Sequence, residues 1–260
     1  LNPLVIIELT GNLHFEGLMV FFFALSLYLL FTFGWAWAAL PYALSIGIKL
    51  VPLMLLPLFL PLLRIRRAAG FYALTGLFLL ALVYPLYFPD FGAHYLQTLK
   101  LWFSNFEFNA GLYRLAEHIA QWQGEKPWVF IASYGKVVPW LTAAAALLLL
   151  MHPGMRKGRT WFDGALLVLS VYYLTAAVVH PWYLIFPLFA SLYTRFRFFI
   201  LWSAVVMLSY TAYAGEAVEE LPHWIALEYM TVFGMIAYEI FRKRKGFMTI
   251  FKNTPQAGAD

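Results

Sequence analysis

The chain has 260 residues and a net charge of +5, and it is 63% hydrophobic but only 12% charged. So few charges cannot cover the surface of a soluble domain, and so high an apolar content excludes intrinsic disorder. The composition therefore predicts an all-α fold, a polytopic bundle of transmembrane helices, and the absence of cysteine excludes disulfides and thiolate metal sites.

Nine apolar spans follow one another along the chain, and a full membrane crossing takes about 20 residues. They cover residues 13–32, 35–49, 51–63, 70–87, 128–151, 161–179, 182–194, 198–214 and 224–241. Two of them, 51–63 and 182–194, are short and contain prolines. Broken helices are tolerated in a membrane only where they face protein or water, so these two spans are predicted to lie beside a site.

Residues 88–127 are too polar to cross a membrane. Their apolar residues recur at roughly helical spacing, which predicts one or two amphipathic helices in the outer interface. A solvated connector that rests on the bilayer is the alternative. This loop belongs to a single predicted transmembrane domain, residues 1–245, and residues 246–260 are predicted to form a cytoplasmic tail.

The basic residues indicate the orientation of the spans. They cluster in four loops: Arg64, Arg66 and Arg67; Arg156, Lys157 and Arg159; Arg195 and Arg197; and Arg242 to Lys245. Nine alternating spans place all four loops on one side with 13 of the 18 Lys and Arg, counting Lys252 in the tail, and the positive-inside rule makes that side cytoplasmic. This pattern of short basic runs indicates membrane topology and speaks against a nucleic-acid partner.

Polar residues at the external ends of spans are predicted to line one cavity, because charges at membrane depth are costly. The first group, Glu8, Asn12, His14 and Glu16, suits sugar hydroxyls or a phosphate. Asn12 could instead cap the first helix. A divalent metal held by His and Glu stays open, although the spacing gives no firm ligand pattern.

Two further groups stand at the same external level. Lys49 ends the second span and could hold a phosphate or snorkel to the interface. His180 precedes Pro181, which turns the chain away from helix, and could donate a hydrogen bond to phosphate or shuttle a proton. Trp182 and Tyr183 follow it and suit either a substrate site or an ordinary aromatic belt.

The last group lies in residues 88–127, the predicted external segment. Glu107, Asn109 and Tyr113 alternate with aromatic residues, a pattern that suits a carbohydrate or simply an amphipathic interface helix. Asp163, Glu228 and Glu239 are interpreted as span-end or tertiary contacts.

Four of these motifs together resemble a family. Gly11-Asn-Leu-His-Phe-Glu-Gly17, Ala43-Leu-Ser-Ile-Gly-Ile-Lys49-Leu-Val-Pro52, Asn105-Phe-Glu-Phe-Asn-Ala-Gly-Leu-Tyr113 and His180-Pro-Trp-Tyr183 look like the polyprenyl-phosphate-dependent mannosyltransferases of the membrane-embedded GT-C type, in their bacterial branch. The resemblance covers about residues 2–245.

The resemblance implies an inverting glycosyltransferase of the bacterial cytoplasmic membrane. It would move a hexose, mannose by analogy, from a polyprenyl-phosphate sugar to a lipid or glycan acceptor outside, without a cofactor. Lys49 and His180 would act on the phosphate as catalytic residues, and the other polar residues would bind the sugar. The base of that family is an Asp in the first external loop, which we expect upstream of Leu1; Glu8 is the only nearby acid that could replace it.

Two other functions stay open at this point. A transporter or flippase of a lipid-linked sugar would use the same polar groups, although it predicts polar residues through the bilayer midplane as well. A catalytically silent subunit of a membrane complex would lack the catalytic acid.

Overall fold

The computed structural model describes residues 2–86 and 90–242, and within these ranges the chain is helical without any strand. The main helices are α1 (Glu16–Thr32), α2 (Trp35–Ile48), α3 (Phe59–Val83), α4 (Phe91–Asn105), α5 (Gly111–Trp122), α6 (Pro127–Leu150), α7 (Gly158–Thr175), α8 (Ile185–Ser191), α9 (Phe198–Val205) and α10 (Pro222–Arg242). Short 3₁₀ segments, among them Val51–Leu58, Pro181–Leu184 and Val206–Tyr213, extend several of them. The all-α prediction is thus confirmed, and the tail 246–260 lies outside the described residues.

Length and composition single out three helical stretches in residues 2–86 and 90–242 that could cross a membrane. They are Val51–Leu86, Pro127–Leu150 and Pro222–Arg242. A fourth becomes possible if Pro3–Gly11 and Glu16–Thr32, which are bent by 107°, count as one span. Other apolar helices are shorter, among them Trp35–Ile48, Pro181–Ser191 and Phe198–Tyr213. The chain is therefore compatible with a multi-pass membrane protein.

The stretch Val51–Leu86 folds back on itself at Arg64, which leaves helical geometry with φ 63° and ψ 158°. A straight helix would separate Phe59 and Phe71 by about 18 Å, at about 1.5 Å per residue. Their ring centres are only 5.0 Å apart, and the Tyr72 hydroxyl donates a 3.1 Å hydrogen bond to the carbonyl of Leu56. The chain therefore reverses between a short proline-containing arm and a longer one.

The first helix begins later than the apolar pattern suggests. A π-helix, Ile6–Gly11, ends at Asn12, and α1 starts at Glu16 after a turn through Leu13, whose φ is 55°. Asn12 therefore does not cap α1, and that alternative is wrong. The backbone N–H of His14 donates to the carbonyl of Glu8 over 3.0 Å, so the turn brings these two residues together.

Aromatic side chains of α1, α7 and α8 pack together in the core. The ring of Phe23 on α1 packs edge-on against Phe186 of α8, with ring centres 4.8 Å apart. Trp161 of α7 is fully buried, and its indole N–H donates a 3.0 Å hydrogen bond to the carbonyl of Leu58. Such a buried indole needs a partner, and here the partner lies on the broken segment next to α3. The core thus fixes the short arm Val51–Leu58 against α7.

The external segment forms two helices, α4 and α5, as its apolar spacing predicts. Helix α5 buries Tyr113 and Glu117 and leaves Trp122 89% exposed. Helix α4 packs along α6, where the carbonyl of Phe103 contacts Gly135 so closely that any side chain there would collide with it. The two helices thus also cover part of the bundle.

Candidate functional site

A cavity of about 880 Å³ opens between Val51–Leu58, α4, α6 and α7. Its wall is mostly apolar, with contributions from Leu53, Met54, Trp102, Phe103, Val138, Ala146 and Leu147 among others. Lys49, His180, Trp182 and Tyr183 also line it, and they contact one another. Long apolar groups fit such a wall, while the polar end can hold a charged or hydrogen-bonding head. Among the residues that the structure describes, no Asp or Glu lines the cavity.

Lys49 stands where α2 ends, and its extended backbone projects the chain out of the helix. Its ammonium lies 3.9 Å from the centre of the Tyr183 ring and pairs with the carboxylate of Glu16. The Glu16 side chain is only 4% exposed and that of Lys49 is 30% exposed. The positive charge is therefore held at the cavity by two partners, one of them a buried carboxylate.

Four rings form a continuous stack beside the cavity. Trp182 lies between the imidazoles of His14, at 4.0 Å, and His180, at 4.4 Å, and both are nearly parallel to it. Phe108 stacks on the other side of His180 at 4.7 Å. Because both faces of Trp182 are covered, this indole meets a ligand with its edge and offers no face to a sugar ring.

His180 is extended before Pro181, as the proline predicts. Burial, and to a smaller extent the nearby Lys49 and His14, lower its pKa to about 4. The imidazole is therefore neutral at pH 7. Its Nδ1 is buried and has no hydrogen-bond partner among the described residues, so a hydrogen bond from neutral His180 to a ligand would have to come from Nε2.

The carboxylate of Glu8 lies behind this stack and is fully buried. Its Oε2 accepts a 3.1 Å hydrogen bond from the Asn12 amide and lies 3.3 Å from Nε2 of His14. Its Oε1 has no hydrogen-bond partner in the part of the chain that the structure describes. Asn12 and His14 of the first predicted group thus lie around one buried carboxylate, while Glu16 of that group pairs with Lys49 instead.

A second polar network surrounds Arg114 on α5. Its guanidinium contacts Glu107 at 2.9 Å, Glu117 at 3.1 Å and Glu220 at 2.6 Å. Burial works to lower the pKa of Arg114, but the three carboxylates outweigh it and raise that pKa above its ordinary value. Burial, together with Glu107 and Glu117, also raises the pKa of Tyr113. The ion pairs therefore fix the positions of Arg114 and its three carboxylate partners.

Asn109 joins this network to α10. It adopts a left-handed backbone with φ 48°, its N–H donates to Glu220, and its carbonyl accepts a 2.8 Å hydrogen bond from the Tyr229 hydroxyl. Its amide donates to Glu228 over 3.1 Å, and the Trp202 indole donates to the same oxygen over 2.7 Å. Asn109 is thus built into the protein interior.

The structure therefore divides the predicted site residues into two groups. Eight of them are linked by contacts near the polar end of the cavity: Lys49, His180, Trp182 and Tyr183, which line it, and Glu8, Asn12, His14 and Glu16, which lie behind these. The other three, Glu107, Asn109 and Tyr113, do not line the cavity. Their neighbour Phe108 links the groups, because its N–H and carbonyl pair with Ala177 and Val179 while its ring stacks on His180.

Sequence reasoning missed several residues of this region. Tyr172, Tyr173 and Trp102 line the cavity, and Glu220 holds both Asn109 and Arg114. Glu220 is one of three acids close together at 216–220, so its charge was visible but its partner was not. Within residues 2–86 and 90–242, no three His, Asp or Glu side chains come together in a way that suits a metal ion.

Comparison with known proteins identifies no relative of this chain: no family model, no curated protein and no solved structure matches it. Function is therefore inferred from the chemistry of the cavity and of the side chains at its polar end.

Proposed function

We propose that this protein is a membrane glycosyltransferase that uses a polyprenyl-phosphate sugar as donor. The observation that carries the proposal is the largely apolar cavity of about 880 Å³ whose wall includes Lys49, His180 and Tyr183 in mutual contact. A polyprenyl phosphate has the same division into a long apolar chain and one charged head. The sugar, a hexose and by resemblance mannose, passes to a lipid or glycan acceptor.

The polar end suits the charge that develops in such a transfer. The bond between the sugar and the phosphate breaks, and negative charge grows on the phosphate. Lys49 supplies a positive charge there, and neutral His180 supplies a hydrogen bond. Glu16 and Asn12 lie next to this end and serve the sugar hydroxyls, and His14 serves the acceptor.

We also propose nine membrane spans in a bacterial cytoplasmic membrane, with the site on the extracytoplasmic side. The apolar helices support a multi-pass protein in general. The reversal at Arg64 supports separate spans for the two arms of Val51–Leu86, and its three arginines suit a cytoplasmic turn. Cysteine labelling from either side of the membrane tests this topology, since the chain has no native cysteine.

The test is sugar transfer by the purified protein in liposomes. Polyprenyl-phosphate mannose with a labelled sugar is the donor, and a membrane extract supplies acceptors. Lys49→Ala and His180→Ala should each lower transfer about 100-fold, the usual effect of removing a group that stabilises developing charge. Lys100→Ala and His118→Ala remove exposed residues outside the cavity wall and are the matched controls. Full transfer in both site variants would contradict the proposal.

One observation favours a second candidate, a carrier or non-catalytic subunit that binds the same lipid. Within residues 2–86 and 90–242, the cavity wall contains no carboxylate to act as a base. In that case the wild-type protein binds polyprenyl-phosphate mannose in a Lys49-dependent manner but transfers no sugar to any acceptor. Movement of the labelled lipid between leaflets then separates a carrier from a silent subunit.

A further inference from the structure

We infer that His14 is the general base that accepts the proton of the acceptor hydroxyl, with Glu8 as its positioning carboxylate. The inference rests on the proposed function and supplies the proton acceptor that the cavity wall lacks.

The first support is the geometry of the pair. Nε2 of His14 lies 3.3 Å from Oε2 of Glu8, and the backbone N–H of His14 donates to the Glu8 carbonyl over 3.0 Å. Asn12 donates to the same carboxylate oxygen and fixes its orientation. A carboxylate in this position keeps the imidazole proton on Nε2, so the lone pair stays on Nδ1. An imidazole oriented by a buried carboxylate is a recurrent arrangement for proton abstraction.

The second support is the position of the ring. His14 stacks at 4.0 Å on Trp182, which belongs to the cavity wall. The stacking fixes the plane of the imidazole, and the Trp182 ring lies between it and the place proposed for the donor phosphate. Its side chain is 29% exposed, whereas that of Glu8 is fully buried. An acceptor can therefore reach the imidazole from outside, and the proton can leave to water by the same route.

The neighbouring ionisable groups, Glu16 and His180, are less suited to accept the proton of the acceptor hydroxyl. The carboxylate of Glu16 is engaged by Lys49. His180 is a weak base, because burial and the charges near it lower its pKa to about 4. His14, in contrast, has a buried carboxylate beside Nε2 and a side chain that is partly exposed.

The acceptor O–H bond breaks and its proton goes to Nδ1 of His14, while the acceptor oxygen forms a bond to C1 of the sugar. The bond between C1 and the phosphate oxygen breaks, and its electron pair leaves with the polyprenyl phosphate. The phosphate thereby gains a second negative charge, which faces Lys49. His14 then releases its proton to water.

The experiment compares transfer, donor binding and chemical rescue in liposomes. His14→Ala should lower transfer about 100-fold or more, the usual contribution of a general base, and leave binding of polyprenyl-phosphate mannose within about twofold of wild type. Added imidazole should restore transfer at least tenfold in this variant. Glu8→Gln, which keeps the shape but loses the charge, should lower transfer without loss of donor binding. His118→Ala is the control, and imidazole should not stimulate it.

Unchanged transfer in His14→Ala overturns the inference and leaves the glycosyltransferase proposal intact. Equal losses of donor binding and transfer, or no rescue by imidazole in a variant that elutes as a folded protein, also overturn it, because His14 is then only structural. A wild-type protein that transfers no sugar overturns both proposals.

Discussion

The ammonium of Lys49 lies 3.9 Å from the centre of the Tyr183 ring while it pairs with the carboxylate of Glu16. The two partners come from α1 and from the segment after His180, so three separated parts of the chain hold one positive charge at the cavity. The ring stabilises the charge without neutralising it, whereas the carboxylate of Glu16 balances it, so an anionic ligand would compete with Glu16 for the ammonium.

The ring of Tyr183 should matter more than its hydroxyl for donor binding. Tyr183→Phe keeps an aromatic face under Lys49 and should bind polyprenyl phosphate within about twofold of wild type. Tyr183→Leu removes the face and should weaken binding by about 0.5–2 kcal/mol, the range of cation–π contacts. Binding of labelled polyprenyl phosphate to the protein in nanodiscs measures both, and a stronger defect in Tyr183→Phe would show that the hydroxyl contacts the lipid.

The ion pair between Lys49 and Glu16 should contribute measurably to the free energy of unfolding. Lys49→Met leaves the buried carboxylate without a counter-charge and should lower the free energy of unfolding by about 1–3 kcal/mol, since the Lys49 side chain is partly exposed. Lys49→Met with Glu16→Gln should recover most of that loss. Unfolding in detergent titrations gives the coupling energy, and additive effects of the two changes would show that the pair contributes nothing.

Acid should weaken the fold through His180. Its pKa is about 4 in the folded protein and near 6.5 in an unfolded chain, so between these values the unfolded state binds more protons. Stability therefore falls as the pH drops from about 6.5 to about 4, by about 1–3 kcal/mol. His180→Gln should show a flatter pH dependence of the unfolding free energy in this window, while exposed His118→Gln should keep the wild-type slope.

Removal of the Glu228 carboxylate should destabilise the contact between α10 and the external segment. Glu228→Ala leaves the Asn109 amide and the buried Trp202 indole without their acceptor, which should lower the free energy of unfolding by about 2–4 kcal/mol. Glu228→Gln keeps an acceptor and should lose less than half as much. A loss as small as that of exposed Glu125→Ala would show that the network carries no stability.

The reversal at Arg64 can be tested with glycine. The backbone there has φ 63° and ψ 158°, a region that costs an L residue about 1–3 kcal/mol but is open to glycine. Arg64→Gly should therefore raise the free energy of unfolding by about 1 kcal/mol. Arg66→Gly, two residues later in a regular helix, should lower it by about 1 kcal/mol. Destabilisation by both changes would indicate a continuous helix.

Periodicity and proline positions predicted the local structure well. The broken segment at 51–63, the two helices of the external segment and the extended backbone before Pro181 all follow from local rules of helix formation. The start of α1 did not, because the π-helix and the turn through Leu13 depend on contacts with Glu8 rather than on the residues of the helix itself. The nine spans as such stay a prediction.

The sequence alone determined that the chain is helical and compatible with a multi-pass membrane protein, and it indicated which polar residues stand at helix ends, because burying charge in lipid is costly enough to make every exception informative. Only the tertiary structure decided how those residues divide. It assembled Lys49, Glu16 and Tyr183 at an apolar cavity, paired His14 with Glu8, and placed Asn109 in a separate interior network. These contacts depend on which helix faces pack together over long separations in sequence. The spacing of residues along the chain does not predict them.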